Sequence, residues 1–247
     1  VAVQFSLGDK TVTIGGMCKG SGMIHPNMCT MLCFITTDAA ITREMLQRAL
    51  SFVVPETFNM VSVDGDTSTN DTCLLLADGL AKNREISEEN DDYREFCDGL
   101  LAVCTTLARK MAKDGEGATC LFECEVRGAK TKKDAQILAR AVVSSSLTKA
   151  AIAGHDANWG RILCAMGYSG ADFDPDRTDL TLTSSAGSVL TFHQGAGTDY
   201  SEEKATEILS QDEIRCIAQL DEGDGCAVAW GCDLTHEYVN INADYRS

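Results

Sequence analysis

A glycine-rich stretch that leads into a strand-forming apolar run constrains this chain more than any other feature. Glycines cluster at 15–22, the pair Pro26-Asn27 follows, and the apolar run 31–35 begins directly after Cys29 and Thr30. A hydroxyl residue placed after a small residue can attack the carbonyl carbon that precedes it. Cleavage there would leave Thr30 with a free α-amine, whose ordinary pKa of roughly 7.7–8.0 suits a base near neutral pH. The structural alternative is a buried threonine that opens a strand.

Composition and charge exclude several function classes. The chain has 247 residues, of which 44% are hydrophobic, enough for one large domain or two small ones. Its 21 basic and 37 acidic residues give a net charge of −16. That charge argues against a nucleic-acid partner and against an anionic membrane surface. No apolar run reaches the ~18 residues of a membrane span. We therefore expect a soluble cytoplasmic protein.

The chain's 12 cysteines suggest neither a zinc site nor a disulfide framework. No C-x-x-C pair occurs, and a core of this size needs no covalent staples. We expect small buried thiols in a reducing compartment. The run Asp64-Gly65-Asp66 opens like a calcium loop but lacks its later glycine and glutamate, so we expect a turn held by local hydrogen bonds. No metal is expected.

Hydrophobic periodicity predicts alternating helices and strands, and hence an α/β fold of layered sheets and helices. Strands are predicted at 11–14, 31–36, 58–63 and 119–126, near Ala150, and in the last part of the chain. Helices are predicted at 42–53, 72–81, 91–112 and 131–147 and from Asn158, with Thr42 and Thr131 as N-caps. A soft boundary near residue 122 predicts two domains, 1–122 and 123–247.

Four segments resemble the ornithine acetyltransferase family, whose members are bifunctional glutamate N-acetyltransferases that cleave themselves. They are Lys19-Gly20-Ser21-Gly22-Met23-Ile24 with Pro26-Asn27-Met28 and Thr30-Met31-Leu32, then Val63-Asp64-Gly65-Asp66-Thr67-Ser68-Thr69-Asn70-Asp71, then Gly154-His155-Asp156-Ala157-Asn158-Trp159-Gly160-Arg161, and finally Tyr238-Val239-Asn240-Ile241-Asn242-Ala243-Asp244-Tyr245-Arg246-Ser247. His155, Ala157, Cys29 and Cys33 depart mildly from the family pattern. In family precursors the oxyanion-hole pair lies upstream of the glycine-rich run, and no residue here matches it.

The resemblance implies an N-terminal-nucleophile-like fold of two domains with the active site between them. It implies cleavage between Cys29 and Thr30, with Thr30 as the nucleophile that then carries the acetyl group. Substrate binding is implied for Lys19, Thr30, Glu116, Asn242 and Ser247. Domain 1–122 would bear the nucleophile. Domain 123–247 would return its C-terminal tail to the site and bury the tail's apolar residues Tyr238, Val239, Ile241 and Tyr245. Asn158 and Arg161 either join the site or cap a helix.

The implied reaction moves acetyl from N-acetylornithine to glutamate through an ester on Thr30, in arginine biosynthesis and without a cofactor. Some family members also use acetyl-CoA, which these residues leave open. The implied assembly is a heterotetramer of two α and two β chains. One alternative is a related self-processing aminopeptidase or amidase, which passes the acyl group to water. Another is a truncated, non-catalytic relative that binds an amino acid.

Overall fold

Strands and helices alternate along the chain, as the periodicity predicts. The computed structural model describes residues 1–25 and 31–244. The strands are β1 (Ala2–Leu7), β2 (Lys10–Lys19), β3 (Leu32–Thr37), β4 (Val61–Ser62), β5 (Thr72–Ala77), β6 (Leu121–Ala129), β7 (Asp179–Ser184), β8 (Gly187–His193), β9 (Ala196–Gly197), β10 (Glu213–Gln219) and β11 (Gly225–Cys232). The helices are α1 (Arg43–Val53), α2 (Asp91–Lys113), α3 (Lys132–Ser144), α4 (Ser146–Ala153), α5 (Trp159–Gly167), α6 (Glu202–Leu209) and α7 (His236–Asp244). The α/β layered fold is thereby confirmed.

These elements form two compact units. The first comprises Val1–Asn59 and Thr67–Met111, and the second comprises Met60–Asp66 and Ala112–Ser247. All residues after Met111 belong to the second unit, so this boundary lies about ten residues before the predicted one near 122. A short excursion at Met60–Asp66 already belongs to the second unit. The assignment of functional domains to 1–122 and 123–247 stays a prediction.

The first unit is built on a four-stranded sheet of order β1-β2-β3-β5. β2 pairs antiparallel with β1 and with β3, and β3 pairs parallel with β5. The inner face buries alternate residues such as Val12, Ile14 and Ile35. Helix α2 packs on this face, since a side chain added at Gly16 would lie 3.1 Å from Leu107. The apolar stripe predicted for 91–112 is therefore the core side of α2.

The outer face of this sheet corrects one expectation. The apolar run 31–36 predicts a buried strand, but β3 alternates between buried and exposed residues. Phe34 is 44% exposed, and its neighbours across the ladder, Met17 and Leu74, are 70% and 43% exposed. The apolar sequence predicts the strand correctly. It does not indicate that, within the described residues, only one face of the strand is buried.

The second unit is built on a seven-stranded sheet of order β4-β11-β6-β10-β7-β8-β9. Strand β6 lies between β11, which runs antiparallel to it, and β10, which runs parallel. Residues 121–124 of β6 are buried on both faces of the sheet, whereas Glu125 is half-buried and Arg127 is exposed. Helix α3 packs across β6 and β11 with Leu138 and Val142 buried. This core positions the loop that leads into β6 and the turn that follows β11.

Several predicted elements change type. Residues 72–81 were predicted as a helix, but Thr72–Ala77 form β5, because pairing with β3 outweighs the helix propensity of the leucines. The strand predicted near Ala150 is helix α4, which Ser145 caps by accepting a hydrogen bond from the Thr148 N–H. The same serine ends α3, so the helix predicted at 131–147 is interrupted there. The chain's last described element is helix α7 rather than a strand.

Candidate active site

Three of the predicted site residues lie within the described part of the chain, namely Lys19, Glu116 and Asn242. Thr30, with Cys29 on the other side of the predicted cleavage bond, lies outside the described residues, and so does Ser247. The structure describes the surroundings of these three residues and of His25 and Met31, which flank the cleavage segment.

Lys19 closes strand β2 beside the beginning of β3. It is paired across the antiparallel ladder with Leu32, two residues after Thr30. Its side chain is exposed, and it forms no salt bridge with any residue in 1–25 or 31–244. A lysine ammonium in this position is available to a carboxylate at the end of the sheet where β3 starts.

Glu116 and Asn242 are brought together within the second unit, although 126 residues separate them. The Asn242 Nδ2 donates to Glu116 Oε2 at 3.0 Å, and it also donates to the Tyr238 carbonyl at 3.0 Å. Glu116 is half-buried, and Asn242 is exposed. No lysine, arginine or histidine of the described residues forms a salt bridge with Glu116. Within the described residues, the Glu116 carboxyl group thus lies next to an amide and has no cationic partner.

A close approach of backbone holds Glu116 against helix α7. Gly117 adopts a left-handed φ of +68°, and a side chain there would lie 2.5 Å from the Tyr238 amide nitrogen. The Thr235 hydroxyl, just before α7, donates to the Gly117 carbonyl at 2.7 Å. Only glycine combines this backbone conformation with such a short distance to the helix. The turn around Glu116 and the first turn of α7 are therefore a single packed structure.

A buried carboxylate ties the same two elements together. Asp233 follows β11 and is 2% exposed. Its Oδ1 accepts from the backbone N–H groups of Thr119 and Cys120 at 2.8 and 3.2 Å, and its Oδ2 accepts from the Thr119 hydroxyl at 2.6 Å. Three donors satisfy this charge in a buried place, so the loop after Glu116 is fixed to the residue that precedes the turn into α7.

A buried lysine supports the end of β11 from the other side. Lys149 of α4 is 2% exposed, and its ammonium donates to the Cys232 carbonyl and, at 3.4 Å, to the Cys232 thiol. The Lys149 carbonyl in turn accepts from the Leu234 N–H at 3.2 Å. Burial raises the pKa of the Cys232 thiol, which therefore stays neutral and inert. Lys149 thus has a structural role under the turn into α7.

Helix α7 packs against other residues of its own unit through polar contacts. The Tyr238 hydroxyl donates to Asp64 Oδ2 at 3.2 Å, and burial, followed by the nearby Asp64 charge, raises the pKa of Tyr238 to about 12. The expectation that Val239 and Ile241 are buried is wrong, since they are 62% and 37% exposed. Tyr245 lies outside the described residues.

Asn158 and Arg161 serve the local structure of helix α5. The Asn158 side chain accepts from the Arg161 N–H at 3.3 Å, which is an N-cap. The Arg161 guanidinium donates to the Leu147 carbonyl at 2.9 Å. Of the two readings open from the sequence, the structure favours capping.

Metal and membrane features are absent from the described residues. Outside 26–30 and 245–247, no group of three or more His, Cys, Asp or Glu side chains is placed to hold a metal ion. The cysteines in the same described ranges are free thiols. None of the described helices is long and apolar enough to cross a membrane.

Comparison with known proteins identifies relatives along the whole chain. The model of the ArgJ family matches residues 1–247. The arginine biosynthesis bifunctional protein ArgJ 1 of Clostridium acetobutylicum is 50% identical over 247 residues, which is all of this chain and 60% of that protein. The arginine biosynthesis bifunctional protein ArgJ of Symbiobacterium thermophilum is 52% identical over 246 residues, again 60% of its length. The chain therefore spans about 60% of the length of these curated relatives.

A solved structure agrees with the fold. The crystal structure of the arginine biosynthesis bifunctional protein ArgJ from Bacillus halodurans is 45% identical, with a TM-score of 0.80. The match covers 85% of this chain and 97% of the solved chain. With the family model covering every residue and curated relatives at about half identity over the whole chain, this protein belongs to the ArgJ family.

Proposed function

We propose that the complete protein containing this chain transfers acetyl from N-acetylornithine to glutamate in arginine biosynthesis. The observation that carries the proposal is the hydrogen bond between Glu116 and Asn242. These residues are distant in sequence, and the family resemblance assigns both of them to the amino-acid substrate. Their meeting in the described part of the chain is what a shared substrate site requires.

The charges of the site suit the two substrates. Ornithine and glutamate each present an ammonium or amine and a carboxylate when they bind. The Glu116 carboxylate suits the amino end, the Asn242 amide can serve either end, and the Lys19 ammonium suits a carboxylate. Ser247 adds a hydroxyl in this proposal. How these groups are arranged around one substrate is part of the proposal.

Activation begins with self-cleavage in this scheme. The Thr30 hydroxyl attacks the Cys29 carbonyl carbon, the bond from that carbon to the Thr30 nitrogen breaks, and an ester joins the two residues. One water molecule then hydrolyses the ester, which leaves a carboxylate on Cys29 and regenerates the hydroxyl. The freed α-amine of Thr30 becomes the base for catalysis.

Acetyl transfer then takes two steps of a ping-pong reaction. With its proton passing to the α-amine, the Thr30 oxygen attacks the acetyl carbonyl carbon of N-acetylornithine. The amide bond breaks, ornithine leaves with that proton, and an acetyl ester remains on Thr30. The amine of glutamate attacks this ester, the carbon–oxygen bond breaks, and the Thr30 oxygen regains a proton.

The length of the solved relative supports the cleavage site. A fragment from Thr30 to Ser247 would have 218 residues (247 minus 29), about 88% of this chain. The crystal chain from Bacillus halodurans is matched over 97% of its length by 85% of this chain. The solved chain is therefore about as long as the fragment that cleavage before Thr30 would release. A cytoplasmic heterotetramer of two α and two β chains, as the resemblance implies, completes the proposal.

A product assay tests the proposal. The product of the complete gene, incubated with N-acetylornithine and glutamate, should release ornithine and form N-acetylglutamate in equal amounts. A parallel reaction with acetyl-CoA in place of N-acetylornithine determines whether that donor is used. Release of acetate with no N-acetylglutamate would identify an amidase instead. Absence of both products in a folded, complete protein would indicate a non-catalytic relative.

A further inference from the structure

The loop 64–71 contains a motif that the proposed chemistry leaves without a role. Its sequence predicts a turn held by local hydrogen bonds, and two such bonds are present. The Asp66 N–H donates to Asp64 Oδ1 at 3.2 Å, and the Asn70 N–H donates to the Ser68 hydroxyl oxygen at 3.3 Å. Two other side chains of the loop, Thr67 and Asp71, form bonds with residues about 40 positions earlier in the chain.

Asp71 holds the residue that follows Thr30. The Met31 N–H donates to Asp71 Oδ1, and the Met31 carbonyl accepts from the Thr72 N–H at 2.8 Å. Both backbone polar groups of Met31 are thus bound at the point where the parallel pair β3–β5 begins, and its side chain is fully buried. The carboxylate replaces the ladder partner that the strand end would otherwise lack.

Thr67 holds the residue on the other side of the cleavage segment. Its hydroxyl donates to the His25 carbonyl at 3.0 Å. His25 and Met31 are the described residues on either side of 26–30, the segment that contains the Cys29–Thr30 bond. One loop therefore fixes the backbone before this segment and the backbone after it, through two side chains that lie four residues apart.

The second carboxylate oxygen of Asp71 has no hydrogen-bond partner among the described residues. Asp71 Oδ2 is buried and accepts no hydrogen bond from the residues in 1–25 or 31–244. Burial also raises the pKa of the Asp71 carboxyl. A buried oxygen without a hydrogen-bond donor destabilises the folded state. Binding the Met31 N–H at the strand end is therefore not, by itself, a good reason for a carboxylate at this position. Covalent structure places the Thr30 nitrogen only three bonds from the Met31 nitrogen that Asp71 binds.

We propose that Thr67 and Asp71 are positioning residues for self-cleavage. They act through the backbone at His25 and Met31, which limits the conformations open to the bond between Cys29 and Thr30 and favours attack by the Thr30 hydroxyl. Cleavage of this kind depends on a near-attack geometry, and a misplacement of about 1 Å costs on the order of a hundredfold in rate. The proposal rests on the proposed function, because it assumes that the chain cleaves itself before Thr30.

The experiment follows cleavage over time. The product of the complete gene is made by cell-free translation, and the fraction of intact chain is measured on denaturing gels. Thr67→Val removes the hydroxyl and keeps the shape, and Asp71→Ala removes both oxygens. We expect each variant to slow cleavage by about tenfold to a hundredfold. Thr67→Ser retains the donor to the His25 carbonyl, and Asp71→Asn retains an acceptor for the Met31 N–H. These two variants should cleave much faster than Thr67→Val and Asp71→Ala.

The matched control is Thr69→Val, in the same loop. Thr69 is exposed and takes no part in either bond to His25 or Met31, so this variant should cleave at the wild-type rate. Melting curves of each variant separate slow cleavage from misfolding. If Asp71→Ala does not fold, Thr67→Val decides the matter.

The outcomes distinguish this inference from the function on which it rests. Wild-type cleavage combined with an unchanged rate in Thr67→Val, and in Asp71→Ala where that variant folds, would overturn the positioning role and leave the proposed function standing. A slowed Thr69→Val would point to a general loop effect and would also overturn it. A folded wild-type protein that never cleaves would overturn both.

Discussion

Removing the Asp233 carboxylate should loosen the part of the fold that holds Glu116 near Asn242. Asp233→Ala deprives the Thr119 and Cys120 backbone N–H groups and the Thr119 hydroxyl of their acceptor. Thr119 is exposed and can bind water instead, whereas Cys120 is buried. One buried N–H without a partner costs about 1–3 kcal/mol, and the lost hydrogen bonds to a charged group add about 1.5–3 kcal/mol. We therefore expect the free energy of unfolding to fall by about 2.5–6 kcal/mol.

The assay combines thermal unfolding with steady-state kinetics. For a chain of this size, a loss of 1 kcal/mol lowers Tm by about 2–4 °C, so Asp233→Ala should lower it by roughly 5–24 °C. Below that temperature, KM for the amino-acid substrate should rise while self-cleavage continues, because the perturbed loop carries Glu116 and not the cleavage segment. Asp233→Asn retains an oxygen for both N–H groups and should lose less than half as much stability.

The control is Asp224→Ala, which removes an exposed carboxylate in the turn before β11 of the same unit. Its Tm should match the wild type. The reasoning would be refuted if Asp233→Ala melted like Asp224→Ala, or if it melted earlier but kept the wild-type KM. The first result would deny the structural role of the buried carboxylate, and the second would deny that the loop and α7 form the substrate site.

Other predictions follow from the same geometry. Glu116→Gln and Asn242→Ala should each lower kcat/KM by about tenfold to a hundredfold and spare self-cleavage, whereas Asn240→Ala, on the same helix, should have little effect in the same kinetic assay. Lys19→Met should raise KM for substrates that carry a free carboxylate and leave the melting temperature unchanged; an unchanged KM would remove Lys19 from the site. Gly117→Ala should lower Tm, measured by thermal melting, because its φ of +68° and the 2.5 Å approach to Tyr238 exclude a side chain.

Local signals in the sequence predicted the elements that depend on local physics. Thr42 and Thr131 accept hydrogen bonds from the N–H groups three residues later, as their positions predict. The stripe of apolar residues in α2 predicted the helix and its buried face. The leucines of β5 led to a wrong helix prediction. Pairing with β3 is a tertiary interaction, and helix propensity does not account for it.

The candidate site depended on a different kind of information. Glu116 and Asn242 have no local signal, and only the family resemblance brought them into consideration. Asp233 and Thr235 were missed, because their partners lie more than a hundred residues away along the chain. Nothing in the residues next to them predicts these bonds. Asp71 was seen, but only as part of a local turn, since its bond to Met31 depends on how β3 and β5 pair.

The most direct test of the account asks where the acetyl group resides during the reaction. The product of the complete gene is mixed with N-acetylornithine that carries a labelled acetyl group, glutamate is withheld, and the protein is quenched in acid and mapped by mass spectrometry. The account predicts a new chain beginning at Thr30, with the label on that threonine, and loss of the label when glutamate is added. Label on Ser21 or on a cysteine, or an unlabelled Thr30 peptide in a protein that forms N-acetylglutamate, would contradict it.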